Sequence, residues 1–139
     1  MGTQTASSVN TNPIIGNYGY LTHLHEIGHS LGLKHSQDTG GVSNVAVTSA
    51  HDAMEYTVMS YRSYVNDPLV GGYSNESFGY AQTYMMYDIA ALQYMYGADF
   101  VSAAANATDS VYTFSTTTGE MFINGVGQGA PGGDRKSVV

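Results

Sequence analysis

The order of apolar and polar positions predicts two helices with a long irregular stretch between them. Tyr20, Leu24, Ile27 and Leu31 recur at helical spacing, the stripe of a helix from about Tyr18 to Leu31. Leu21, His25, His29 and Gly32 form a second stripe beside it, so the first stripe is expected to pack and the second to face something polar. A second helix is expected from about Tyr84 to Tyr96, capped by Thr83, closed by Gly97, with Met85, Ile89, Leu92 and Tyr96 as its core stripe. Residues 36–56 carry Gly40-Gly41 among Ser, Thr, Asp and Asn without a sustained period, which reads as a loop long enough to have a function or hold an ion. Asp67-Pro68 and Gly71-Gly72 mark two further turns. Residues 111–114 and 121–124 read as the strands of a hairpin. Residues 1–17, polar and broken by Pro13 and Gly16, read as a lead-in segment, and 125–139 as a Gly-rich tail.

Composition makes this a lean domain. Leu, Ile, Val and Phe supply 27 of 139 residues, and the net charge is −7, which together approach the range of chains that bury too little to fold. Twelve Tyr and seven Met offset part of the deficit, because both fill space and tolerate partly wet sites. Four Lys and Arg against eleven Asp and Glu argue against nucleic acid or an anionic membrane as partner, since both need clustered positive charge. No apolar run approaches the ~18 residues of a membrane helix, and Met1 to Ser8 lack the regions of a signal peptide. With no Cys, a metal must rest on His, carboxylate or Tyr. Asn75-Glu76-Ser77 and Asn106-Ala107-Thr108 match the glycosylation pattern, a weak signal.

The strongest chemistry lies in the first helix. His25, Glu26, His29, Gly32 and His35 fit H-E-x-x-H-x-x-G-x-x-H. His25 and His29, four apart, leave one helix face one turn apart and can reach a single ion. Gly32 permits the left-handed conformation that turns the chain back, so that His35 can supply a third nitrogen. Three His and one open position describe a catalytic zinc site, with Glu26 able to touch a water on the ion. His23 points off the ligand face. His51 and Asp52 can bind a metal but read more simply as a solvated turn. Asp88 reads either as a group that hydrogen-bonds a turn or a ligand-bearing loop in support of the site or as a simple surface carboxylate.

The extended motif is that of the metzincins, and Thr57-Val58-Met59-Ser60-Tyr61 resembles their Met-turn. Met59 with Tyr61 two residues on, and the stretch from Tyr84 to Ala98, resemble the serralysin-type bacterial proteases. The likeness runs from about Tyr18 to Gly129. It implies that Met59 forms an apolar floor beneath the imidazoles, and that Tyr61 either ligates zinc or hydrogen-bonds the oxyanion of hydrolysis. It also implies a secreted, extracellular bacterial protein acting on protein or peptide substrates. The expected fold is α+β, a metzincin-like zincin fragment over residues 18–124. It would have a zinc helix, Met-turn, second helix and short C-terminal strands, with the N-terminal sheet missing. No complete glycine-rich calcium repeat follows, so calcium has no motif here.

Two functions of different class follow from this. The first is a zinc-dependent endopeptidase with Glu26 as general base. The second is a zinc-binding, catalytically weak fragment that self-associates as a homodimer through the uncovered stripe Tyr20, Leu24, Ile27 and Leu31. A sugar- or ligand-binding module rests only on the tyrosine content.

Overall fold

In a computed structural model, which describes residues 12–41, 43–98 and 110–130, the first element is helix α1 (Tyr18–Ser30). Asn17 caps it, its side-chain oxygen accepting from the Tyr20 N–H at 2.8 Å, which satisfies a donor left over at the helix start. The other end closes as a Schellman turn. The Leu33 N–H donates to the Gly28 carbonyl at 2.9 Å and the Gly32 N–H to that of His29 at 3.0 Å. Gly32 sits at φ +95°, which explains why glycine stands there.

The buried face of α1 is not the stripe Tyr20, Leu24, Ile27, Leu31. It consists of Gly19, Leu21, His25 and Gly28, while Ile27 is 50% exposed. The reason is steric. A Cβ on Gly28 would stand 2.7 Å from the Met59 sulfur, so the helix can approach the core closely only on its glycine side. Leu21, Met54, Val58 and Met59 form that core, with Leu33, Tyr73, Tyr80, Ala81, Tyr84 and Met85 packed around it.

The loop expected over 36–56 has no helix or strand among its described residues. Asp52 is far from solvated: it is 5% exposed and bonds Ser36, Ser60 and Arg62. Its burial alone would raise its pKa, but those hydrogen bonds and the Arg62 charge outweigh it and hold the carboxyl below the usual value. The chain then makes the tight turn of residues 57–60, with the Ser60 N–H on the Thr57 carbonyl.

Helix α2 (Met86–Tyr96) starts two residues later than expected. Thr83 does not cap it; its hydroxyl donates to the Tyr84 carbonyl. The expected core stripe is also not the buried one. Ile89 is 45% and Tyr96 67% exposed, and α2 instead buries Asp88, at 2% exposure. The Asp88 carboxylate accepts from the Thr57 hydroxyl at 2.6 Å, the Val58 N–H at 2.9 Å and the Met85 N–H at 2.9 Å. A charge-assisted cluster therefore fastens α2 to the 57–60 turn where apolar packing was expected. Gly97 ends the helix, its N–H on the Gln93 carbonyl.

The three described strands follow α2. β1 (Tyr112–Phe114), β2 (Met121–Ile123) and β3 (Val126–Gly127) form an antiparallel sheet in the order β1-β2-β3. Tyr112 pairs with Ile123 and Phe114 with Met121, which is the expected hairpin. Ile123 then pairs with Val126 across Asn124-Gly125, both at positive φ, as a two-residue type I′ turn requires. Two residues of the stretch expected as tail, Val126 and Gly127, thus belong to the sheet. Asn106 lies outside the described residues. Asn75 is engaged, its amide bonded to Ser63 and the Gly79 carbonyl.

Candidate metal centre

Helix α1 carries His25 and His29 one turn apart, and the turn at Gly32 returns the chain so that His35 meets them. Their candidate ligand atoms all lie within 4.8 Å of one another. The rings stand with centroids 4.7, 5.2 and 4.6 Å apart for the pairs 25–29, 25–35 and 29–35.

Each imidazole is held from behind. His25 Nδ1 lies 2.9 Å from the Val58 carbonyl, His29 Nδ1 3.0 Å from that of Leu33, and His35 Nδ1 3.2 Å from the Asp38 carboxylate. These partners only accept, so each Nδ1 is the donor, and a ring in its neutral form then has its lone pair on Nε2. The His29 and His35 Nε2 atoms are 3.0 Å apart. Two lone pairs facing each other at that distance repel unless a proton or cation lies with them. Three imidazoles whose ring nitrogens converge are, in the neutral form, a donor set suited to zinc, which takes such nitrogens at about 2.0–2.1 Å. Burial pushes the His25 pKa below its usual value, and the neighbouring imidazoles add to the effect, which favours the neutral ligand form.

Glu26 follows the first of these histidines and is exposed. It lines a cleft of about 580 Å³ with Tyr18, Leu21, Thr22, His25 and Tyr61, and Leu69, Tyr73 and Tyr80 line it as well. The Tyr61 hydroxyl lies 2.6 Å from His35 Nε2. Since that nitrogen has the lone pair, the phenol donates. Its pKa is raised, first by burial and then by the charges of Asp38 and Glu26, so it stays protonated as a donor.

Met59 is 2% exposed and packs against α1 at Gly28. Asp88 bonds the turn that carries it, through Thr57 and Val58, and the Val58 carbonyl holds His25. His23 stands apart, bonded to the Gly19 carbonyl at 2.7 Å. His51 also stands apart, with its ring against Tyr56 and Tyr87.

The sequence reading missed Asp38, three residues past His35 and so within reach of its ring. It also missed the carbonyls of Val58 and Leu33, which no side chain announces. Lys34 steadies the Asp38 loop by donating to the Asp38 and Gly40 carbonyls, both at 2.9 Å.

A family model described as metallo-peptidase family M12B, reprolysin-like, matches residues 1–86. Among curated proteins, the chain is similar to a serralysin of Proteus mirabilis, 41% identical over 114 residues, covering 79% of this chain and 22% of that protein. It is similar to metalloprotease AprA of Pseudomonas entomophila (strain L48), 41% identical over 122 residues, covering 84% and 24%. Serralysin C of Dickeya chrysanthemi is 40% identical over 109 residues, covering 76% and 21%. The chain thus spans about a quarter of the length of these relatives. No solved structure matches it significantly.

Proposed function

Because the chain belongs to the reprolysin-like M12B metallopeptidases, with serralysins among its relatives, we propose that it is a zinc-dependent endopeptidase. The observation that carries this reading is the convergence of three imidazoles, each anchored through Nδ1, beside a glutamate in an open cleft. His25, His29 and His35 are the residues that would hold the ion. Bound zinc supplies Lewis acidity, polarising a peptide carbonyl and acidifying water.

Glu26 takes the proton of the water as it attacks the carbonyl carbon, then delivers it to the leaving nitrogen. Tyr61 donates its hydroxyl hydrogen to the oxygen that gains charge during the attack. Met59, Asp88 and Gly32 act indirectly, by packing α1, fixing the Val58 carbonyl behind His25 and turning the chain toward His35. The cleft wall of Leu69, Tyr73 and Tyr80 suits an apolar or aromatic side chain next to the bond cut. We assign the activity to a secreted bacterial protein on the same family resemblance. No helix among the described residues is long and apolar enough to cross a membrane.

The test is release of labelled peptides from casein. Activity should vanish with a chelator and return with zinc. A chain that holds zinc stoichiometrically yet leaves casein intact would overturn the protease reading and favour the metal-binding fragment.

Tyr61→Phe separates the phenol's role from packing. Removing one hydroxyl should leave zinc content unchanged, with three His still in place. The barrier should rise by about 2–4 kcal/mol, seen in kcat rather than KM. Stopped-flow peptide hydrolysis reads this directly, and unchanged turnover would reduce Tyr61 to a packing residue.

A further inference from the structure

Asp52 is a buried carboxylate that the proposed chemistry does not use. Its Oδ1 accepts from the Ser36 hydroxyl at 2.5 Å and the Ser60 hydroxyl at 2.7 Å, and its Oδ2 from Arg62 Nε at 3.0 Å. Ser36 and Ser60 are 4% and 0% exposed. Ser36 directly follows His35, and Ser60 directly precedes Tyr61. A serine oxygen is one rotatable bond from the backbone, so fixing the oxygen fixes that stretch of chain. The two stretches are tied again by the Ser36 N–H on the Met59 carbonyl at 3.3 Å. On the site side of this clamp, the Tyr61 hydroxyl and His35 Nε2 stand 2.6 Å apart.

We propose that Asp52 is a positioning residue that holds His35 and Tyr61 in register with each other. It would set the place of the third imidazole and of the phenol from a single buried point. This rests on the metallopeptidase reading for its consequences in catalysis, but its effect on the metal site can be read without any hydrolysis. The carboxylate is the group suited to the task, because three donors converge on two oxygens. Asparagine offers one oxygen to the same three donors and turns an NH₂ toward at least one of them, leaving a buried donor facing a donor.

The experiment uses the full chain and the variants Asp52→Asn, Ser36→Ala and Ser60→Ala. Zinc affinity is measured by competition with a chelating dye, and ligand geometry by the visible absorption of the cobalt-substituted protein. Circular dichroism and peptide kinetics are measured well below each variant's melting temperature. Asp52→Asn should keep its helix signal, lose about 10- to 100-fold in zinc affinity, the usual range for outer partners of a ligand, and shift the cobalt bands. Ser36→Ala should reproduce the affinity loss, because it frees the His35 side of the clamp. Ser60→Ala should leave zinc affinity alone and lower kcat at constant KM, because it frees the Tyr61 side.

A merely structural Asp52 would lower melting temperatures while leaving affinity, cobalt spectrum and kcat at wild-type values, and that result overturns the proposal. Should Asp52→Asn fail to fold, the two serine variants decide: wild-type affinity in one together with wild-type kcat in the other is equally fatal. If the wild-type chain binds zinc but cleaves no peptide, the protease reading falls. The cobalt spectra and zinc affinities of the Asp52 and Ser36 variants then still decide this one.

Discussion

His29→Ala is expected to abolish both the bound metal and the activity. The ring offers a converging lone pair only because its Nδ1 hydrogen is committed to the Leu33 carbonyl, and the remaining two imidazoles cannot surround an ion from three sides. A ligand that binds only the native state stabilises it by mass action, about 4 kcal/mol when its free concentration is a thousandfold above its Kd. The variant should therefore melt lower than the wild type in zinc, and the gap should shrink when a chelator strips both. A small gap should persist, because the ring's bond to Leu33 also helps close the turn at Gly32. His23→Ala is the matched control. His23 bonds the Gly19 carbonyl away from the cluster, so its zinc content should match the wild type. Elemental analysis showing equal zinc in His29→Ala and wild type would remove His29 from the site.

The sequence made the three-histidine cluster legible and much of the packing illegible, for different physical reasons. The ligand spacing is a statement about helix geometry and one left-handed residue, and both survive folding in any context. The apolar stripe points to the wrong packing face of α1, whereas Gly28, a helical position without a side chain, signals the close approach that decides it, against Met59. In α2 apolar residues lie on nearly every side, so periodicity could not choose a face. The anchor proved to be a carboxylate, Asp88. From sequence Asp88 reads either as support for a turn or as a surface carboxylate, and its bonds to Thr57 and Val58 are of the first kind. Asp52 sits among Ser, Thr and Asp, a composition that reads as a wet turn, and only the arrival of Ser36, Ser60 and Arg62 from other stretches shows it buried. Backbone acceptors such as the Val58 and Leu33 carbonyls carry no residue signature at all. The Asn124-Gly125 turn was readable in principle, since that dipeptide between apolar residues is a strong hairpin signal.

Glu26→Gln is expected to separate metal binding from chemistry. The amide keeps the size and reach of the side chain in the cleft beside Tyr61, and Glu26 is not among the three residues that converge on the metal position. Zinc stoichiometry and melting temperature should therefore stay near those of the wild type. What disappears is a group able to take a proton from water and return it to the leaving nitrogen. Positioned general bases contribute about 10²–10⁴-fold, roughly 3–5 kcal/mol in barrier, and the loss should fall on kcat, because the neutral amide fills the same space in the ground state. Glu26→Asp is the informative partner: it restores a base but draws it back by one methylene, so it should recover part of the rate and no more. If Gln supports wild-type turnover with zinc bound, proton transfer runs through some other group and the proposed role of Glu26 is wrong. If Gln loses zinc as well as rate, the glutamate is holding the metal site together rather than moving protons. Full zinc with a large kcat deficit is the outcome that assigns it the role of base.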